Sequence, residues 1–333
     1  MKTILHSFGF SDESRALADR LNFTDVIEPC DMFNPQADQR KLDTANEYGM
    51  KVWLDVSRYV KGRGTGRWDT AFTAWTKRIA SHPALAGAYV YGDPELEIES
   101  PQSYAQAVSA LRAANLRTAA TFSHLALGAD MSAKWLNYCD YEGIGVYTKW
   151  GGDAVTASAF DAAGIISGFS AALSATGRAN VIGKWLFLQG FVDEGRGGVG
   201  QNGTPTKEEY QRLIDLAPGW DVGFFGLSSS PDDVERIRAL GLRPDLHDEV
   251  MFTNAKLLGR PAVYPSRVMV RLGQTAQFIC PAANAQWSAD GANDIAVYQT
   301  GGIRAGTQAG RVVVTAKLGA QTAQGELFIY RED

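Results

Sequence analysis

The chain has 333 residues, of which 45% are hydrophobic and 21% charged, with a formal net charge of −5. This length suits one barrel-sized domain of about 250 residues plus a module of roughly 70. The apolar fraction supports a large core and excludes general disorder, while the acidic balance provides no basic field to gather nucleic acid or an anionic membrane.

Cys30, Cys139 and Cys280 are far apart, odd in number and without metal-ligand spacing, so buried free thiols are expected. No stretch reaches the ~20 apolar residues that span a bilayer. The opening MKTILHSFGFSDESRALADRL runs into charged residues without the apolar h-region of a secretory leader. Membrane insertion is therefore not expected, and a virion or extracellular setting is favoured over the cytoplasm.

In chain order, short β-rich runs alternate with amphipathic helical runs, the pattern of parallel strands joined by helical crossovers. Eight strands are predicted: Thr3 to Phe8, Asp25 to Glu28, Lys51 to Val56, Gly87 to Tyr91, Arg117 to Ser123, Gly143 to Tyr147, Gly183 to Gln189 and Gly223 to Leu227. Between them lie helix signals such as Ser11 before DESRALADRL and Thr206 before KEEYQRLIDL, with Glu209 in capping-box position. SAKWLNY and DAAGIISGFSAALSA supply the fifth and sixth helices, PDDVERIRALG the eighth, and DEVMFTNAKLLG one more. The fold expected is α/β, a TIM-type (β/α)₈ barrel over residues 1–258.

Beyond Gly259-Arg260-Pro261 the period changes to two. RVMVRL, AQFICP, AQWSAD, IAVYQT, GRVVVTAKL and GELFIYR are short strands separated by turns, so residues 262–333 are expected to form a small all-β sandwich. Its strand order resembles that of bacterial immunoglobulin-like modules of surface and phage virion proteins. The paired cysteines of antibody domains are missing, so Trp287 and Cys280 are expected in the core.

A (β/α)₈ barrel works at the C-terminal ends of its strands, which narrows the search for chemistry. The apolar fourth strand ends in Asp93-Pro94-Glu95, and strand parity puts Tyr89, Tyr91 and Asp93 on one side. Trp53 and Asp55 share a side of strand three, so Asp55 is a candidate partner for Asp93. Glu28 ends strand two, either as a site residue or as a plain strand end before Pro29; Glu95 and Glu194 follow strands four and seven. Tyr147, Lys149 and Trp150 at the end of strand six offer flat apolar surface and a charge, as sugar rings require. His124 follows strand five, and Gln189 ends strand seven. Trp75, Trp135 and Trp185 read as core. No HExxH, GxSxG or P-loop pattern is present, so neither a metal nor another cofactor is expected.

The pieces AWTKRIASHPALAGAYVYGDPE, KWLFLQGF and TPTKEEYQRLIDLA, which span most of the barrel, resemble glycoside-hydrolase-type barrels. Those carry a Trp-rich third helix, His-Pro-Ala-Leu-x-Gly, an apolar strand and an Asp-Glu-Pro signature. The family places a glutamate before the proline, where this chain has Asp93. The resemblance implies a glycosidase acting on a polysaccharide or cell-surface glycan, with Asp93 as general acid and Gln189 touching substrate; strand parity adds Asp55, or a loop carboxylate such as Glu95, as partner. Two carboxyl groups about 5 Å apart, or roughly 6.5–9.5 Å apart, would be required. The alternative is a non-catalytic glycan-binding or virion-associated protein on a degenerate barrel, attached to a larger assembly through its C-terminal module.

Overall fold

The computed structural model describes residues 1–7, 12–60, 66–92, 94, 100–123, 134–147, 161–177, 180–193, 205–227, 237–239, 244–291 and 294–331. All eight expected barrel strands form. They are β1 (Thr3–Ser7), β2 (Asp25–Pro29), β3 (Lys51–Asp55), β4 (Leu85–Gly92), β5 (Thr118–Ser123), β6 (Tyr141–Val146) and β7 (Gly183–Gln189), followed after a short β8 (Phe191–Asp193) by β9 (Asp221–Leu227). They pair in parallel in the order β1-β2-β3-β4-β5-β6-β7-β9, and β9 returns to β1 to close a barrel of the TIM type.

The helices are α1 (Asp12–Arg20), α2 (Pro35–Glu47), α3 (Ser57–Val60), α4 (Gly66–Ile79), α5 (Pro101–Ala113), α6 (Ala162–Ala175), α7 (Lys207–Asp215) and α8 (Pro244–Leu258). Prolines open α2 and α5, where the missing N–H costs nothing. The capping box at α7 forms in both directions between Thr206 and Glu209. The small-residue α6 is capped by Asp161 and buries Ala162, Ile166, Phe169 and Leu173, a stripe at helical spacing.

Two expected helices differ. Of SAKWLNY, Lys134 is helical but residues 135–139 turn, because the buried Glu142 carboxylate accepts the backbone N–H groups of Asn137, Tyr138 and Cys139 at 2.7, 2.8 and 2.9 Å. Of PDDVERIRALG, Ile237–Ala239 forms a strand, β10, antiparallel to β8. A short apolar run fits either period, and here pairing with a distant strand decides.

Large rings fill the barrel, and glycines on neighbouring strands make room for them. Trp53 lies opposite Gly87, Trp185 opposite Gly143 and Phe187 opposite Gly223. A Cβ on any of these glycines would come within 2.4–2.8 Å of a neighbouring atom. Trp53 and Trp185 meet edge to face at 5.0 Å, and Tyr141 stacks on Trp185 at 5.6 Å. At the N-terminal end, Lys2 lies over Trp53 and Tyr141 and 3.6 Å from Asp25, which accepts the Trp53 indole N–H. That end is a packed floor, which leaves the opposite end for function.

Contacts divide the chain into two compact units, Met1–Leu246 and His247–Asp333. Within the second, Asp248 and Glu249 of α8 accept hydrogen bonds from Ser266 N–H and the Tyr264 hydroxyl, which joins this helix to the strands that follow. Those strands are β11 (Arg267–Arg271), β12 (Thr275–Gln277), β13 (Gln286–Asp290), β14 (Ala296–Val297), β15 (Gly302–Arg304), β16 (Gly310–Leu318) and β17 (Gln321–Tyr330). They form one sheet in the order β11-β17-β16-β13 and another in the order β12-β15-β14, sharing a core of Phe278, Trp287, Ile303, Val312, Val314, Leu327 and Ile329. Trp287 is core as expected, Cys280 packs at its margin, and the three cysteines are free. Among the described residues no helix is long and apolar enough to cross a membrane, and no group of three or more His, Cys, Asp or Glu could hold a metal ion.

Candidate functional site at the barrel mouth

Asp55 is the last residue of β3, two positions beyond Trp53 and on the same, inner face. It is half-buried, and its Oδ1 accepts the Ser57 N–H at 2.8 Å, which fixes the carboxylate at the start of α3. Burial raises its pKa, opposed by the hydrogen bonds from Ser57 and by the Arg58 charge. Among the described residues that end the eight barrel strands, Asp55 is the carboxylate on the inner face.

Beside it in register lies Tyr89 of β4, whose hydroxyl is hydrogen-bonded to Thr121 Oγ1 of β5. Tyr89 in turn faces His6 of β1, with ring centroids 5.3 Å apart; His6 meets Phe225 of β9 at 4.9 Å and Phe187 at 6.5 Å. Burial lowers the His6 pKa to about 4, so the imidazole is neutral at physiological pH and can offer both a donor and an acceptor nitrogen. Tyr147, half-buried just beyond β6, approaches Phe225 at 5.9 Å. Gln189 ends β7 opposite Phe225 and is buried, with its carbonyl accepting the Tyr210 hydroxyl at 2.6 Å.

Three sequence-derived candidates, Asp55, Tyr147 and Gln189, are thus linked through Tyr89, His6 and Phe225. Glu28 is set apart. It alternates with the inward Ile27 and forms an ion pair with Arg15 of α1 at 2.7 Å, both side chains essentially inaccessible to solvent. Burial lifts the Glu28 pKa to about 7 against the opposing pull of Arg15 and Lys41, so this carboxylate belongs to the contact between strand and helix. Asp93, Glu95, His124, Lys149, Trp150 and Glu194 lie outside the described residues.

The parity expected for β4 changes at its tip. A register shift between Tyr89 and Tyr91 brings Tyr91 level with Ala120 and Gly92 level with Thr121. A Cβ on Gly92 would meet the Tyr89 hydroxyl at 2.9 Å, so Gly92 is the inner position there and Tyr91 is not. His6 and Phe225 were not singled out from sequence, although period two from Ile4 identifies His6 once β1 is known to line the barrel.

The closed eight-stranded parallel barrel has the TIM-type fold, which several solved glycosidases share. Similar solved structures include an endo-β-1,4-mannanase double mutant from Cellulomonas fimi, with 12% identity and a TM-score of 0.51, over 99% of this chain and 94% of that one. A calcium-binding mutant of β-glucuronidase 2 from Bacteroides uniformis has 9% identity and a TM-score of 0.51, over 99% of this chain and 45% of that one. An FMN-binding β-glucuronidase from Facaelibacterium prausnitzii has 11% identity and a TM-score of 0.51, over 99% and 56%. The chain spans about half the length of the two glucuronidases. At these identities the likeness is one of fold. No family profile and no curated protein sequence matches the chain.

Proposed function

We propose that residues 1–258 are a glycosidase barrel acting on a polysaccharide or cell-surface glycan, and that residues 262–333 are an immunoglobulin-like module that holds it to its target or to a larger assembly. The observation that carries this reading is Asp55: a half-buried carboxylate on the inner face of the mouth, with its pKa raised by burial, beside a tyrosine–threonine hydroxyl pair and a neutral histidine. A raised pKa makes a carboxylate a better base for water, the partner that a general acid needs. Asp93 of the Asp-Pro-Glu segment that follows β4 is assigned the acid from the sequence resemblance, with Glu95 as the other candidate carboxylate in that segment. Tyr147 and Gln189 are assigned to substrate, together with His124, Lys149, Trp150 and Glu194; Glu28 is omitted because it is committed to Arg15. The glycan-active neighbours of similar fold support the substrate class.

Two observations favour a second reading, in which the barrel binds glycan without cleaving it, as a virion or surface component would. The interior is filled with rings up to the level of Phe225, and the tip of β7 carries the amide Gln189 where a nucleophilic carboxylate would serve. Release of reducing ends from a panel of plant and bacterial polysaccharides tests both. Release by the wild type that is abolished in Asp93→Asn and Asp55→Asn supports the hydrolase, whereas retained binding without release supports the second reading.

A further inference from the structure

Beside Asp55 the loops after β2 and β3 build a rigid, exposed cluster that the mouth chemistry does not use. The Asp55 carbonyl accepts the Cys30 N–H at 3.0 Å, and the Cys30 carbonyl accepts Arg58 Nη2. Arg58 Nη2 also donates to the Tyr59 hydroxyl at 2.7 Å and lies 3.7 Å from Asp31 Oδ1. Asp31 Oδ1 further accepts the Phe33 N–H at 3.2 Å and the Tyr59 hydroxyl at 3.3 Å. Underneath, the buried Asp38 carboxylate takes hydrogen bonds from Asp31 N–H, the Trp75 indole and Lys41, so the β2–α2 loop is held from below.

On this base the Phe33 ring packs against Tyr59 at 5.6 Å while remaining half exposed, and Arg58 and Asp31 are 57% and 40% exposed. Among the described residues, the hydrogen bonds and ion pair of Arg58 run through Nη2, its guanidinium also lies over the Tyr59 ring at 4.8 Å, and the contacts that fix the Asp31 carboxylate run through Oδ1. The partly exposed Arg58 and Asp31 side chains thus offer a donor and an acceptor side by side next to a flat apolar ring. A vicinal diol of a pyranose has the matching acceptor and donor, and the C–H face of the same ring matches Phe33. The adjacent Asp31 charge offsets that of Arg58, so the pair suits hydroxyls better than a carboxylate or sulfate.

We propose that Asp31, Phe33 and Arg58 form a subsite for a neutral pyranose unit of the same glycan, next to Asp55 on the β2–β3 side of the mouth. The assignment rests on the glycan reading of the barrel and adds to it a substrate class and a direction for the chain. The test is calorimetric titration of the whole protein, its Phe33→Ala and its Phe33→Trp variants with hexasaccharides of glucose, mannose, xylose and galactose, and with a galacturonic acid hexamer. Unchanged circular dichroism and melting temperature would establish that each variant is folded.

A neutral hexasaccharide should bind the wild type, bind Phe33→Ala about fivefold more weakly, and bind Phe33→Trp at least as tightly as the wild type. Equal binding by wild type and Phe33→Ala overturns the subsite and leaves the glycan reading in place. Tighter binding of the galacturonate hexamer than of every neutral sugar overturns its neutral character. No binding of any hexasaccharide to the wild type overturns both readings.

Discussion

Two acidic residues end neighbouring strands of this barrel, and they occupy opposite sides of its wall. Glu28 on β2 points outward to Arg15 on α1, behind the sheet and closed to water. Asp55 on β3 points inward, half-buried, where its carboxylate is held by Ser57 and its strand position pairs with Tyr89. Burial raises both pKa values, yet the surroundings assign the two groups different work. A carboxylate locked to a guanidinium in a dry wall has no capacity left for substrate, whereas one anchored at a single oxygen beside the mouth keeps a lone pair for chemistry. Exposure, polarity and partner count separate the wall, where charge serves packing, from the mouth, where charge can serve a ligand.

The sharpest way to break this comparison is to remove one charge at the wall. Glu28→Ala leaves the Arg15 guanidinium buried without its partner and should cost about 3–5 kcal/mol in urea unfolding, whereas the paired replacement Arg15→Met with Glu28→Leu should lie within about 1–2 kcal/mol of wild type. If the single variant were as stable as wild type, Arg15 and Glu28 would not form the ion pair described here.

At the mouth the expected response is the reverse. Asp55→Asn preserves an oxygen to accept the Ser57 N–H and should change stability by less than about 1 kcal/mol, while glycan turnover falls roughly a hundredfold or more. Full turnover in Asp55→Asn would remove this residue from the chemistry and place the burden on Asp93 and Glu95. A large stability loss without a kinetic effect would make Asp55 a helix cap for α3 and nothing more.

The same contrast explains what was legible in the sequence. The strands are readable because each is a short β-rich run set between amphipathic helical runs, and the eight runs fall within about two residues of the observed elements. The glycine partners of Trp53, Trp185 and Phe187 are also in the sequence, but their pairing becomes visible only with the register of the closed barrel. Glu28 could not be assigned to the wall from sequence because its partner lies thirteen residues upstream on a helix, a distance with no local signature. Tyr91 departs from the side that period two predicts because a bulge adds one residue to β4, which alternation alone does not reveal. The turn at residues 135–139 has a similar cause: Glu142 supplies three backbone donors with a partner, and this outweighs the helical preference of SAKWLNY.

Glu28 in the wall and His6 at the mouth answer pH in opposite directions. Burial pushes Glu28 from 4.5 up to about 7, so between these values the folded protein holds a proton that the unfolded chain has released, and stability falls as pH rises through that window. Burial pushes His6 from 6.5 down to about 4, so between these values the folded protein lacks a proton that the unfolded chain binds, and stability is lost as pH falls through that window. The two slopes, each approaching about 1.4 kcal/mol per pH unit, oppose one another where the windows overlap, between 4.5 and 6.5. Urea unfolding at pH 4, 5, 6 and 7 should therefore separate them by comparison with wild type. His6→Phe, which extends the cluster of Tyr89, Phe187 and Phe225, should become less stable with rising pH relative to wild type. The Arg15→Met, Glu28→Leu pair should become more stable with rising pH relative to wild type. Identical pH slopes in all three proteins would mean that neither group is held in the folded state as its surroundings require, and the distinction between a sealed wall and a chemically available mouth would lose its electrostatic basis.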